Sequence, residues 1–369
     1  MRLALAGGTI CVDPATEPIR SGVVLIDGDT IAAAGDVAIP PQTETIDCSG
    51  LTISAGFRNS HVHFFERKWA DAATIPAAEL TRQLHDTFTR YGFTTVFDLG
   101  SSAANTRIIR DRIESGDVEG PRILTTGPGI VPPGAMPPDL VLSLMGVMKF
   151  PFPEVANAEE AATAVKALLD DGADGIKLFA SSPRGSSLSD ETIAAAVDEA
   201  HRAGRRVFLH PNTSADVALA LRNGVDVIAH TTPPSGRWSE LDIRPGVALT
   251  PTLALRHFFM RHDRQSSQEA MVNASIDQLR TWIDRGGIVL FGTDLGAVDP
   301  DPSLEYELMR NAGMDFRQIL ASLTTAPAEF FGESGRLASG MPADIVVFED
   351  LSNIRYTVRG GNVLRSTSR

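Results

Sequence analysis

Residues 205–230 read RRVFLHPNTSADVALALRNGVDVIAH. Two short apolar runs, Arg205 to His210 and Val225 to His230, enclose a segment of helical length, Ala215 to Asn223. Gly224 then stands where a helix C-terminus favours a residue that tolerates positive φ. The unit reads as strand, helix, strand, and each strand ends in a histidine.

The same alternation runs outward from about Leu51 to the last third of the chain. Further strand candidates are Arg58 to Phe64, Thr94 to Asp98, Arg122 to Thr126, Gly175 to Phe179, Val247 to Thr252 and Ile288 to Thr293. Ala158 to Asp170 places Ala161, Val165 and Leu168 on one helical face, and Asp190 to Ala203 ends at Gly204. Eight strands alternating with helices over about 280 residues is the size of a (β/α)8 TIM barrel. An open doubly wound sheet also alternates, but no GxGxxG follows the first strand and no GxxxxGK[ST] occurs. Pro132-Pro133-Gly134 and Pro137-Pro138 mark a long loop after the third strand, at the rim where barrel sites are built.

The two ends of the chain read differently. Leu3 to Leu5, Val23 to Ile26 and Thr30 to Ala34 are short apolar runs broken by Gly7-Gly8, Pro14 and Pro40-Pro41, with a hairpin signal at Asp27-Gly28. Ala343 to Phe348, Thr357 to Arg359 and Val363-Leu364 are β-like again. Isolated strands need partners. The expected α/β architecture is therefore a barrel over 55–338 and a small β-sandwich domain formed by the N- and C-terminal segments, 1–54 plus 339–369.

Of the 369 residues, 43% are hydrophobic and 21% charged, which is ample for a core. Lys plus Arg is 33 against 46 for Asp plus Glu, a formal net charge of −13. Such a surface argues against nucleic acid or an anionic membrane as partner and leaves a small-molecule substrate. Cys11 and Cys48 form no CxxC pair, so free thiols in a reducing compartment are expected. With no signal-peptide pattern and no apolar run of membrane-spanning length, the expectation is a cytoplasmic protein.

His61-Val62-His63 lies at the end of the first barrel strand, and residues i and i+2 of a strand face the same way. Paired imidazoles suit a divalent transition metal. Lys177, His210, His230 and Asp294 fall at or near the ends of strands four, five, six and eight. Any one of them could simply mark where a strand meets water. Four at the catalytic face of one barrel, all of ligand or base type, point to a site.

With these residues in place, the chain resembles the amidohydrolase superfamily, specifically its imidazolonepropionase-like and Xaa-Pro dipeptidase-like branch. The resemblance is carried by Gly56-Phe57 ahead of Ser60-His61-Val62-His63, by Gly92-Phe93-Thr94-Thr95-Val96 and by Asp171-Gly172-Ala173-Asp174-Gly175-Ile176-Lys177. It continues in Gly292-Thr293-Asp294 and Gly340-Met341-Pro342-Ala343-Asp344-Ile345-Val346. It implies two divalent metal ions, zinc being the expected one. His61, His63 and Asp294 would bind the more buried ion, and His210 and His230 the second. Lys177, carboxylated by CO2, would bridge them. It further implies hydrolysis of an amide-type C–N bond (small amide, dipeptide, N-acyl amino acid or cyclic amide) by a metal-bridging hydroxide. Asp294 would be general acid and base, and His230 an additional stabiliser of the oxyanion. Members of this branch often associate, so a homo-oligomer stays open.

Two positions depart from the pattern. The second histidine common after the strand-five ligand is replaced by Pro211-Asn212-Thr213, in a loop that lies over the substrate, and the usual Pro-Gly is Ala55-Gly56. The alternatives are a mononuclear aminohydrolase of a nucleobase-like ring, a lactone or ester hydrolase on the same site, and a non-enzymatic scaffold. The aminohydrolase would need a Glu after His210 that is not there, and the complete ligand set argues against the scaffold. After strand seven, Arg256 and His257, with Arg261 and His262, are candidates for binding a substrate carboxylate, against the plainer reading of a solvated basic loop. Tyr306 and Trp238 are candidate pocket residues. Asp98 reads as a cap or brace, and His85 and His201 as surface or interface histidines.

Overall fold

The computed structural model describes residues 2–135, 150–182, 185–259, 265–296 and 300–365. Pro137-Pro138, Arg261 and His262 lie outside them. Residues from both ends of the chain form one hydrogen-bonded eight-stranded sheet. It contains β1 (Arg2–Cys11), β2 (Ile19–Asp27), β3 (Thr30–Gly35), β4 (Glu44–Asp47) and β5 (Thr52–Ala55). The order β3-β2-β1-β5 continues into the C-terminal strands β14 (Ile345–Asp350), β15 (Asn353–Arg359) and β16 (Asn362–Arg365).

β1 changes partner halfway along. Leu3 to Ala6 pair with β4 and Thr9 to Cys11 with β5. Gly7 sits between the halves at φ +80°, a left-handed conformation that costs glycine little. Leu3, Ile10, Ile53, Ile345 and Val358 share one apolar cluster. Cys11 and Cys48 are free thiols.

The middle of the chain forms two parallel sheets. One holds β6 (Phe57–Val62), β7 (Phe93–Asp98) and β8 (Arg122–Thr125). The other runs from β9 (Gly175–Phe179) through β10 (Arg206–His210), β11 (Val227–Ala229) and β12 (Ala248–Thr250) to β13 (Ile288–Val289). Backbone hydrogen bonds cross both gaps between the sheets. Asp174 N donates to Thr125 O at 2.7 Å and Ile130 N to Lys177 O at 2.8 Å. On the other side Ser60 N donates to Phe291 O at 2.7 Å, and Asp294 N to His61 O at 2.8 Å.

This exchange explains why β13 is shorter than Ile288 to Thr293. Leu290 still bonds Leu249, but from Phe291 onward the chain turns to β6 instead. Gly292 allows the approach, since a Cβ there would stand 2.8 Å from that of His61. Alternate strand residues enter different cores. Phe97, Phe208, Val227, Ala248 and Leu290 form one cluster, while Val207, Leu209, Ile228 and Leu249 pack with the helices.

The helices form where their ends are satisfied. Helix Ala158–Asp170 is capped by Asn157, whose side chain accepts from Glu160 N, and helix Ser214–Arg222 by a reciprocal Thr213–Asp216 box. Gly204 and Gly224 follow helices Asp190–Arg202 and Ser214–Arg222 with φ of +67° and +76°.

Candidate metal centre

The C-terminal ends of the parallel strands converge on six side chains. His61 is the penultimate residue of β6 and His63 the first beyond it; Lys177 is the middle residue of β9; His210 ends β10; His230 follows β11. Asp294 enters from the segment that switches from β12 to β6. Its Oδ1 stands 2.8 Å from His63 Nε2 and 3.5 Å from His61 Nε2, and its Oδ2 lies 3.7 Å from His230 Nε2. His61, His230 and Asp294 offer ligand atoms all within 4.8 Å of one another. The His210 ring centroid is 4.6 Å from that of His230, which is itself 4.5 Å from that of His61. His230 therefore stands between the two ligand groups that the resemblance separates.

The electrostatics are those of an enclosed basic cluster. Burial, then the Lys177 charge, holds His61 far below its ordinary range and takes His210 to about 3. Burial and the facing His61 and His210 do the same to His230. Lys177 is 1% exposed, and burial brings its amine down to about 7. Burial alone would raise Asp294, but His61, His63 and Lys177 outweigh it and hold the carboxyl well below its usual range.

Three buried donor atoms here, His61 Nε2, His63 Nδ1 and Lys177 Nζ, have no hydrogen-bond partner among the described residues. Each such atom costs about 1–3 kcal/mol unless a ligand satisfies it. Neutral imidazoles around an ionised carboxylate suit a divalent cation. A lysine brought down to about 7 is in large part unprotonated at neutral pH, and that form has the free lone pair that CO2 requires. The donor set thus fits a divalent metal site.

Backbone strain gathers at the same place. His230, Thr252 and Asp294 have φ of +121°, +44° and +60°. Such non-glycine conformations cost about 1–3 kcal/mol each and persist where the surroundings impose them. Thr252 Oγ1 lies 2.8 Å from His230 Nδ1 and fixes that ring.

Several supporting residues were not singled out in the sequence. Asn59 Nδ2 donates to Thr293 Oγ1 at 2.7 Å, and its Oδ1 accepts from His61 N at 3.2 Å, tying β6 to the Asp294 segment. Its position two before His61 was the available signal. Buried Asp216 accepts from Asn212 N, Thr213 N and Ser181 Oγ, pinning the loop after His210. Buried Glu305 accepts from Leu253 N at 2.9 Å and Ala254 N at 2.7 Å, fixing helix Leu253–Phe259, and nothing in its spacing announced it. Asp98 braces as expected, accepting from Ser101 Oγ at 2.5 Å and Thr125 Oγ1 at 2.8 Å.

The remaining candidates divide. Arg256 reaches the centre: a guanidinium nitrogen donates to Thr231 O at 2.5 Å, beside His230. His257 is exposed and, with Ala254, Phe258, Thr293 and Glu305, lines a cavity of about 330 Å3. Tyr306 offers a substrate no surface: it is 0% exposed in the core, its ring 5.1 Å from that of Phe291. Trp238 is likewise buried, its indole donating to Thr232 Oγ1. His201 pairs with Asp226 at 2.8 Å, and half-buried His85 contacts Thr89 at 3.1 Å.

The family model described as the amidohydrolase family matches residues 52–365. The chain belongs to that family. Over 388 aligned residues this amidohydrolase is 24% identical to a Methanothermobacter thermautotrophicus protein named "Putative aminohydrolase", covering 96% of this chain and 93% of that one. It superposes on a Xaa-Pro dipeptidase with methionine bound in its active site at a TM-score of 0.82 and 22% identity, over 99% of this chain and 100% of that one. Ochratoxinase of A. niger gives 0.78 and 20%, over 99% and 95%. These likenesses show a shared fold. The amidohydrolase is a hydrolytic enzyme acting on carbon–nitrogen bonds. No helix among its described residues is long and apolar enough to cross a membrane.

Proposed function

We propose that this amidohydrolase is a cytoplasmic binuclear metal-dependent hydrolase of a small amide-type C–N bond. In this reading residues 55–338 close as a (β/α)8 barrel, and 1–54 plus 339–369 fold as a sandwich over their shared cluster. The hydrogen bonds across both sheet gaps and the separate inner cluster support closure.

The observation that carries the reading is the set of unsatisfied buried donors around Asp294. His61, His63, His210, His230 and Asp294 would hold the ions, zinc being the expected metal, with carboxylated Lys177 between them. Ions held there would supply Lewis acidity, lowering the pKa of water and polarising a carbonyl. Asp294 is ionised at neutral pH and so begins as a base; it takes the proton of the attacking water and returns it to the leaving nitrogen. His230 Nδ1 meets Thr252 Oγ1 at 2.8 Å, and in the tautomer in which Nδ1–H donates, Nε2 keeps a lone pair for an ion. The oxyanion role expected of His230 needs the other tautomer, with Nε2–H as the donor.

A second reading, a mononuclear aminohydrolase, is favoured by the tight His61, His230 and Asp294 trio. It leaves Lys177 without a task and lacks a glutamate after His210. Elemental analysis of protein purified without chelator, in bicarbonate, separates the two. About two equivalents of metal per chain support the bridged centre. One equivalent supports the trio, and none after reconstitution removes both.

A further inference from the structure

Among the described residues Arg256 is a half-buried cation with no counter-ion. It makes no ion pair among the described residues, and its Nε is buried without a partner. Other arginines are placed differently: Arg58 and Arg122 meet Glu333, Arg110 meets Asp174, and Arg206 meets Asp226. Burial works against the charge of Arg256, and the acidic group that acts on it among the described residues is Asp294, already engaged by His63 at 2.8 Å. A partly buried guanidinium is costly unless an anion completes it.

Its placement is held from two sides. The guanidinium donates to Thr231 O, in the loop that follows His230. The start of its helix is clamped by Glu305 through the Leu253 and Ala254 amides. That leaves donors of a planar fork committed to no acidic residue among those described, beside the centre where an amide would be cleaved. A carboxylate is the anion that such a fork accepts most readily on a small organic molecule.

We infer that Arg256 anchors a free carboxylate of the substrate, so that the amides cleaved are dipeptides or N-acyl amino acids rather than neutral amides or rings. This rests on the hydrolase reading above and narrows it. The guanidinium takes no part in bond breaking; it sets which molecules are held with their amide at the centre.

The test uses the metal-loaded, full-length enzyme and a panel of dipeptides and N-acetyl amino acids. Each compound is assayed as the free acid and as its methylamide. Wild type should favour the acid in kcat/KM, and Arg256→Met should collapse the acid-to-methylamide ratio by roughly 10- to 100-fold, chiefly through KM. Arg256→Lys should restore part of it. Calorimetric titration with the N-acetyl amino acids gives a second readout, in which Arg256→Met weakens binding while metal content stays at the wild-type level. Cleavage of acids and methylamides at equal kcat/KM, or an equal loss on both in Arg256→Met, overturns the anchor and leaves the hydrolase reading standing. No cleavage of any panel member by metal-loaded protein overturns both.

Discussion

The two ends of the parallel strands are built on opposite principles. Where β10 begins, Asp226 is 5% exposed and fully engaged: it accepts from Arg206 at 2.7 Å, His201 at 2.8 Å and Val207 N at 2.8 Å. Asp174 takes Arg110 and the Thr125 amide, and Glu333 takes Arg58 and Arg122. Four residues on from Arg206, where β10 ends at His210, the pattern inverts. Among the described residues, buried nitrogens lack partners, non-glycine residues hold positive φ, and Arg256 has no counter-ion. Charge neutralised within the chain makes a scaffold. Charge left open at the cost of stability marks where something from outside the chain is expected.

Substitutions at the two ends should therefore fail differently. Asp294→Asn keeps an oxygen ligand but loses the proton acceptor, so kcat should fall about 100- to 10,000-fold with most metal retained. A mild loss would remove Asp294 from proton transfer. Lys177→Ala should lower metal affinity at least ~10- to 100-fold and activity with it, read by elemental analysis beside turnover. Full activity without the lysine would break the bridge. At the opposite end, Asp226→Ala should cost about 1–3 kcal/mol in denaturant unfolding and leave kcat/KM of the folded enzyme unaltered. If it abolished turnover while sparing stability, the contrast between the ends would be wrong.

The smallest effect is in the pH dependence of metal-free stability. His210 is neutral in the fold, with its pKa taken from 6.5 to about 3, and His61 and His230 are displaced in the same direction. The unfolded chain binds more protons across that window, so the melting temperature should fall as pH drops from 6.5 toward 3. Glu305 works against this. Burial raises its carboxyl from 4.5 to about 7, so its contribution is intact below 4.5 and is lost as pH rises toward 7. Glu305→Gln should thus flatten the slope on the neutral side and leave the acid slope. A chelated protein that grows more stable below pH 5 would contradict the histidine assignment.

The strand ends were readable because the chemistry coincides with the pattern. His210 and His230 close apolar runs, and Gly175 to Phe179 coincides with β9. Residues 290–293 were misread as strand because exchanging partner from β12 to β6 leaves the apolar run unchanged. The supports were hardest to see. Glu305 sits in an ordinary helix, and only the packing reveals that its carboxylate ends on the amides of another. Tyr306 misled for the same reason, since a tyrosine near a site and one in the core look alike in sequence.

The hydrogen bonding of β5 carries a consequence for biosynthesis. β5 runs through Gly56 into β6, the strand that presents His61, and it is paired along its length by β14; Gly56 N itself donates to Asp344 O at 2.8 Å. A nascent chain can emerge as far as Asp294 with every candidate ligand synthesised and still lack the strand that buttresses the first of them. Acquisition of metal should therefore follow, not accompany, translation, and chains stopped ahead of Ile345 should leave the ribosome as targets for chaperones and proteases.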